Sequence, residues 1–382
     1  MLPKRVYAAI NLDNIQKNVR SVMNRLDDDI KIMGIVKANA YGHGAVEVAE
    51  AILETGVTDL GVATVGEAVE LRRNGITCPI LVLGRIFKED VPLAVKHGVD
   101  VTISDIDGAK ELWAEATRQG KRAGVYVKID TGMGRIGFQP NDDGFESIKS
   151  IFEMDELKIL GAFTHFACAD CVDKASANIQ RDKFISFTDK ITAAGYPLPV
   201  RHMYNSAASM ELSGYVGDMV RLGVMMYGLY PSEEMNREYK LYPAMEFKSS
   251  ISFIKDAPKG FTVSYGSTFT TEKATKIATV PVGYGDGYPR YLSNKGEVII
   301  KGVRCPIIGR ICMDQFMVDI SALPNAVVGD EVTLIGTDGN ETITVEDLSD
   351  PVYRFNYEFC CLIAGRVPRV YIKNGEVIKI KE

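Results

Sequence analysis

Residues 31–37 read KIMGIVK and residues 38–44 read ANAYGHG. A nearly continuous apolar run of this length suits a strand buried on both faces, and it stops on Lys37, just before a glycine-bearing turn. Working outward, residues 46–53 (VEVAEAIL) carry a helical pattern that stops near Gly56, and residues 59–64 (DLGVAT) are β-rich again. Residues 67–73 repeat the helical pattern, and Asn74-Gly75 closes it in the usual C-terminal way. The alternation continues through PILVLG (79–84), VDVTIS (99–104), GVYVKID (124–130), ILGAFTHF (159–166), VRHMYN (200–205) and VRLGVMMY (220–227).

Eight βα units in one stretch predict an α/β fold, a closed (β/α)8 TIM-type barrel, which typically takes about 250 residues. The competing open, doubly wound sheet usually carries a G-x-G-x-x-G turn after its first strand, and none stands there. After Tyr230-Pro231-Ser232 the rhythm changes. Residues 245–255, 275–282, 297–300, 305–310, 313–320 and 331–335 read as strands divided by Gly and Asp/Asn clusters, with helical patterning only near 345 and 358. This predicts a mostly β C-terminal domain. The expected division is residues 1–238 for the barrel and 239–382 for the β domain, with the linker near 236–242.

Composition narrows the function classes. The 382 residues carry 44 Lys plus Arg against 50 Asp plus Glu, a net charge of −6, which argues against a nucleic-acid partner. No apolar stretch approaches the ~20 residues of a membrane-spanning helix, and residues 6–11 (VYAAIN) are too short for a signal peptide. Seven cysteines in so long a chain form no disulfide framework. Cys78, Cys305, Cys312, Cys360 and Cys361 lie among apolar residues and read as buried reduced thiols. Cys168 and Cys171 have the spacing of a redox or metal pair; the second pair that zinc would need is missing, and neighbouring free thiols are the expectation, with a redox switch as the alternative. A reducing cytoplasm is the expected location.

In such a barrel, functional residues come from the C-terminal ends of the strands. Lys37 ends the first. Desolvation lowers a lysine's pKa and frees the amine as a base or Schiff-base former; the bland alternative is a lysine that snorkels out of the barrel mouth. Residues 128–135 (KIDTGMGR) end another strand, His165 and Asp170 flank the next turn, and His202, Tyr204, Asn205 and Ser206 end the seventh. Arg221 begins the eighth and can point inward. Ser206 and the Gly223 region fit a phosphate site built from the loops of the last two strands. A lysine, an arginine and a phosphate cradle in one mouth suggest pyridoxal phosphate.

The run IVKANAYGHG (35–44) resembles the cofactor-lysine signature of alanine racemases. The resemblance continues through DTGMGR (130–135), THFA (164–167), NSAA (205–208), RLG (221–223), SYGSTF (264–269), GYGDGY (283–288) and GRICMDQ (309–315), in order and across both domains. It implies a homodimeric, pyridoxal-phosphate-dependent isomerase that interconverts L- and D-alanine and supplies D-alanine for peptidoglycan. By the same resemblance, Lys37 holds the cofactor, Tyr41, Ser206, Gly223 and Val224 contact its phosphate, and Asn205 lies among the cofactor residues. Arg221 faces the pyridine nitrogen with His165 and His202 behind it. Tyr265 of the partner subunit is the second base, and Arg135 and the backbone of Met313 hold the substrate carboxylate. Lys128 matches a lysine carbamylated in many members, Tyr284 narrows the entry passage, and Asp314 is a supporting residue that orders a loop. Tyr288 and Met317 read as packing residues.

Two bases on opposite faces of the α-carbon racemise an amino acid without turning it over. The family pattern puts Lys37 on the face of the D-enantiomer's proton and Tyr265 on that of the L-enantiomer. One departure stands out: many members have a tyrosine directly before Arg-Val-Pro-Arg, where this chain has Gly365. A roomier pocket that also admits serine is the alternative this implies. A decarboxylase of the same plan is a further alternative; it would place a glutamate opposite the pyridine nitrogen and a cysteine near the reacting centre, against which Arg221 and Tyr265 speak.

Overall fold

The computed structural model describes residues 2–212, 214–350 and 355–382. The chain divides into two compact units, a barrel unit (Ile15–Ala40 and Ala45–Tyr242) and a sheet unit (Met1–Asn14, Tyr41–Gly44 and Pro243–Glu382). β1 (Val6–Asn11) belongs to the sheet unit.

In the barrel unit, β2 (Lys31–Ile35), β3 (Asp59–Val62), β4 (Ile80–Val82), β5 (Asp100–Ile103), β6 (Ala123–Lys128), β7 (Leu157–Phe163), β8 (Val200–His202) and β9 (Met219–Leu222) close into one barrel. β9 returns in parallel to β2 and sets Arg221 opposite Met33. Every residue of β3, β4 and β9 is buried, so these strands present no face to solvent. Gly34 lets a helix lie close: a Cβ there would meet Ile52 Cδ1 at 2.3 Å. All eight expected strands form. β8 is shorter than expected and ends at His202, because Asn205 then caps the helix Ser206–Glu211 by accepting from the Ala208 amide at 3.0 Å. The helix expected at 67–73 starts two residues earlier, at Val65, capped by Thr64.

The sheet unit contains β10 (Met245–Ser250), β11 (Phe253–Ala257), β12 (Thr262–Val263), β13 (Phe269–Thr270), β14 (Thr275–Val280), β15 (Glu297–Ile300) and β16 (Val303–Ile308). It continues with β17 (Phe316–Asp319), β18 (Glu331–Asp338), β19 (Glu341–Ile343), β20 (Arg369–Lys373) and β21 (Glu376–Lys381). Eleven strands form one sheet in the order β11-β14-β17-β16-β15-β18-β10-β1-β20-β21, with β19 on β18, while β12 and β13 pair separately. The run expected as one strand at 245–255 is two: β10 pairs with β18 and β11 with β14.

The expected division put residues 1–14 with the barrel. β1 instead pairs antiparallel with β10 and parallel with β20. Val6 to Ile10 are all buried, and a strand apolar on both faces needs a neighbour on each edge to satisfy its backbone. The cysteines are all free, but only Cys305 and Cys360 are buried; Cys78 and Cys312 are half-buried and Cys361 is exposed. Apolar sequence neighbours misled here because Cys361 follows Cys360 on the helix Asn356–Leu362, where adjacent residues face different ways. Among the described residues, no helix is long and apolar enough to cross a membrane.

Candidate active site

Arg221 is buried on β9 and makes four bonds from its two terminal nitrogens. Nη1 donates to His202 Nδ1 at 3.0 Å; Nη2 donates to His165 Nδ1 at 3.1 Å and to the carbonyls of Thr164 (2.8 Å) and Met203 (3.1 Å). A guanidinium only donates, so both imidazoles accept at Nδ1 and carry hydrogen at Nε2. Their electrostatics agree. Burial, then Arg221 and Lys128, push His202 well below the ordinary imidazole value. Burial, then Arg221, Arg135, Lys128 and Lys37, do the same to His165. Burial also lowers Arg221, to about 10, so it stays charged at neutral pH. His202 is further held by stacking on Phe163, 4.9 Å between centroids.

Lys128 ends β6 and is 2% exposed. Its Nζ donates to the Ile129 carbonyl at 3.3 Å and lies 5.1 Å from the centre of the Phe163 ring. Burial, then the charges of Arg221 and Arg135, lower it to about 7. A sizeable share of the amine is therefore neutral near physiological pH. Arg135 is exposed, on a turn shaped by Asp130 Oδ1, which accepts from the amides of Gly132 and Gly134 at 3.1 and 3.0 Å.

Lys37 is half-buried just past β2. After it the chain turns left-handed: Ala38, Asn39, Ala40 and Tyr41 have φ between 51° and 54°. This conformation costs an L-residue roughly 1–2 kcal/mol, and such strain collects where a side chain must be aimed. Asn39 Oδ1 steadies the turn by accepting from the Ala45 amide at 2.8 Å. Tyr41, whose pKa burial pushes up, belongs to the sheet unit and meets the Tyr357 ring edge-on, 6.3 Å between centroids. At the end of the barrel series, Ser206 Oγ accepts from the Gly223 amide at 2.9 Å, and Val224 opens a single helical turn. The Ser206 hydroxyl and the Gly223 amide thus lie together at the ends of the last two strands.

A second group stands within the sheet unit. Tyr265, 69% exposed, and Met313, 54% exposed, line a cavity of about 470 Å³ with Ser264, Cys312, Asp314 and Gln315. Ser264 has φ 66° and ψ −177°, a region used almost only by glycine. Its Oγ donates to the Arg310 carbonyl at 2.6 Å, tying the Tyr265 turn to the loop that leads to Met313. The Tyr284 amide donates to the Cys312 carbonyl at 3.1 Å. Asp314 accepts from Arg366 Nη2 at 2.7 Å. Tyr288 is fully buried and stacks on Phe316, and Met317 packs against the Ile277 cluster.

Three supporting residues escaped the sequence reading. Gln180 donates to the His165 carbonyl at 3.0 Å and accepts from the Ala167 amide at 2.8 Å, holding the turn that carries His165. Asp286 is buried between Arg5 and Arg366 and accepts from the Gly283 amide at 3.0 Å. Glu67 accepts from the Ala38 amide at 2.6 Å. Two of them left a sequence signal: Asp286 lies within the GYGDGY run, and Thr64-Val65-Gly66-Glu67 is a capping-box pattern.

Residues 10–231 match the family model for "Alanine racemase, N-terminal domain" and residues 244–371 that for "Alanine racemase, C-terminal domain". The chain is 44% identical over 378 residues to an alanine racemase of Clostridium novyi, covering 98% of this chain and 97% of that one. It superposes on the alanine racemase of Clostridium difficile with a TM-score of 0.96 at 41% identity, covering 100% of this chain and 99% of that one. The Bacillus anthracis alanine racemase, solved with bound L-Ala-P, gives a TM-score of 0.93 at 36% identity, covering 100% and 98%. Since both family domains are matched in order and nearly end to end, the chain belongs to the alanine racemase family.

Proposed function

We propose that this chain interconverts L- and D-alanine with pyridoxal 5′-phosphate, using Lys37 and Tyr265 as bases on opposite faces of the substrate. The observation that carries the reading is the buried Arg221 guanidinium, held between two imidazoles that stay neutral. The residues fit the cofactor. Nε of Arg221 takes no part in the four bonds above and is the donor suited to a ring nitrogen. Ser206, Gly223 and Val224 suit the phosphate, with Asn205 holding their helix in place. When bound, the cofactor draws electrons from the bonds at the substrate α-carbon.

The chain's own residues do the rest. Lys37 would hold the cofactor, and its amine would move the proton on the D face. Tyr265 of the partner subunit moves it on the L face; the exposure of Tyr265 and Met313 in one copy suits a homodimer in which each copy covers the other's barrel mouth. Arg135 and the Met313 amide hold the substrate carboxylate. Lys128, as a carbamate, would pair with Arg135 and orient it; its near-neutral amine is the form that takes up CO2. Tyr284, 44% exposed, would narrow the entry passage. Arg221 does not readily give up a proton, so it would leave a ring nitrogen beside it unprotonated, which would limit the electron sink and discourage transamination. The expected role is D-alanine supply for peptidoglycan, in the cytoplasm.

Gly365 favours a second substrate. Gly365 is exposed and a Cβ built there meets nothing within 4 Å, so this chain lacks the bulk a tyrosine would place before Arg366, and serine is the second substrate that this suggests. The deciding experiment is incubation of the cofactor-loaded protein with L-alanine in D2O, following optical rotation and α-proton exchange with and without prior borohydride reduction. Loss of rotation without CO2 release, abolished by reduction, supports the racemase. CO2 release supports the decarboxylase and defeats it.

A further inference from the structure

Glu67 sits at the third position of the helix Val65–Arg73. Its Oε2 accepts from the Ala63 and Thr64 amides at 2.7 and 3.1 Å, while its own amide donates to Thr64 Oγ1 at 3.2 Å, a complete capping box. The other carboxylate oxygen, Oε1, does something a cap does not need. It reaches out of the helix to accept from the amide of Ala38, at 2.6 Å. Ala38 is the residue directly after Lys37 and the first of the left-handed turn, with φ 51° and ψ 48°. On the other side of the turn, the Ala40 amide donates to the Val36 carbonyl at 2.8 Å. The peptide that follows Lys37 is thus pinned by a carboxylate oxygen at 2.6 Å, and hydrogen bonds from backbone amides to carboxylates are among the strong ones.

We propose that Glu67 is a positioning residue for Lys37: its Oε1 bond to the Ala38 amide holds the strained turn and so aims the lysine amine. The proposal rests on the reading of Lys37 as the cofactor lysine and D-face base. The chain itself offers a way to separate this role from capping. At Thr344 a second capping box is closed by an aspartate: Asp347 Oδ2 accepts from the Thr344 amide at 2.8 Å, and the Asp347 amide donates to Thr344 Oγ1 at 3.1 Å. Aspartate therefore suffices for the box, but one methylene shorter it falls short of a further partner in the turn that follows the neighbouring strand.

The test is Glu67→Asp. In the cofactor-free protein, amide hydrogen exchange over residues 37–44 should speed up by at least about tenfold, while residues 64–73 keep their protection and the melting temperature holds. In the cofactor-loaded protein, α-proton exchange from D-alanine should fall by roughly ten- to a hundredfold relative to exchange from L-alanine, because only the Lys37 face is misaimed. A merely structural role would lower both exchange rates together. If Glu67→Asp keeps the native D-to-L ratio and the native protection of residues 37–44, the proposal is overturned. Should that variant fail to fold, Glu67→Gln, which keeps the reach but weakens the acceptor, is read by the same two measurements. Lys37→Arg separates the two failures. If it keeps native racemisation, the reading of Lys37 falls and takes the proposal with it; if it is inactive while Glu67→Asp behaves as native, only the proposal falls.

Discussion

His202 Nδ1 accepts a hydrogen bond from Arg221 Nη1 at 3.0 Å, and both side chains are buried. Burial, and next to it a donor that stays charged at neutral pH, keep that ring neutral.

Stability should therefore fall as the medium becomes acidic. A histidine whose folded pKa lies well below the ordinary value of 6.5 takes up its proton first in the unfolded chain. Its contribution is full above that value and is lost as pH drops beneath it, at about 1.4 kcal/mol per pH unit for each histidine. Urea unfolding of His202→Asn between pH 7.5 and 5 should show a shallower slope than the native protein. Equal slopes would count against neutral His202.

Asp100 works in the opposite sense. Burial, then the nearby Asp59, raise it from 3.8 to about 6. The folded state binds this proton more readily than the unfolded chain, so stability is lost as pH rises from near 4 to near 6. Asp100→Asn should be more stable than the native protein at pH 7, with the gap closing towards pH 4. Denaturation midpoints at the two pH values measure it; a gap that grows on acidification would refute the assignment.

Replacing Arg221 tests the ring-nitrogen argument. In Arg221→Glu a carboxylate can share a proton with the ring nitrogen and strengthen the electron sink. The loaded variant should racemise alanine roughly a hundredfold more slowly, about 2.7 kcal/mol on the barrier, and show a long-lived visible absorbance during turnover. An unchanged spectrum under turnover would sink the idea.

Gly365 has open space around it. Gly365→Tyr should restore the bulk that the glycine lacks and raise the alanine-to-serine ratio of kcat/KM, within the roughly 10- to 200-fold that size discrimination reaches. Equal ratios for the two proteins would tell against a roomier pocket.

How far the sequence reaches is clearest in single residues. The barrel was legible because its strands are short apolar runs at regular spacing, and such a pattern survives without any knowledge of partners. Lys37 was legible as a charge ending an apolar run, and the glycines and small residues around it marked a turn. The left-handed sense of that turn was not, since Ala38 and Ala40 carry no preference for positive φ. Val6–Asn11 was legible as an apolar run, but its place in the sheet unit depends on β20, at the far end of the chain. Glu67 advertised its capping box and hid its bond to Ala38.

Local pattern alone determined the element types, the two-part organisation and the residue types at the strand ends, because periodicity and turn chemistry act over a few neighbours. Only the tertiary structure decided which groups share a charge. The neutral state of His165 and His202, the near-neutral amine of Lys128 and the double duty of Glu67 all arise from burial and from contacts between distant segments. Electrostatic energies depend on distance and desolvation, and neither quantity exists until the chain has folded.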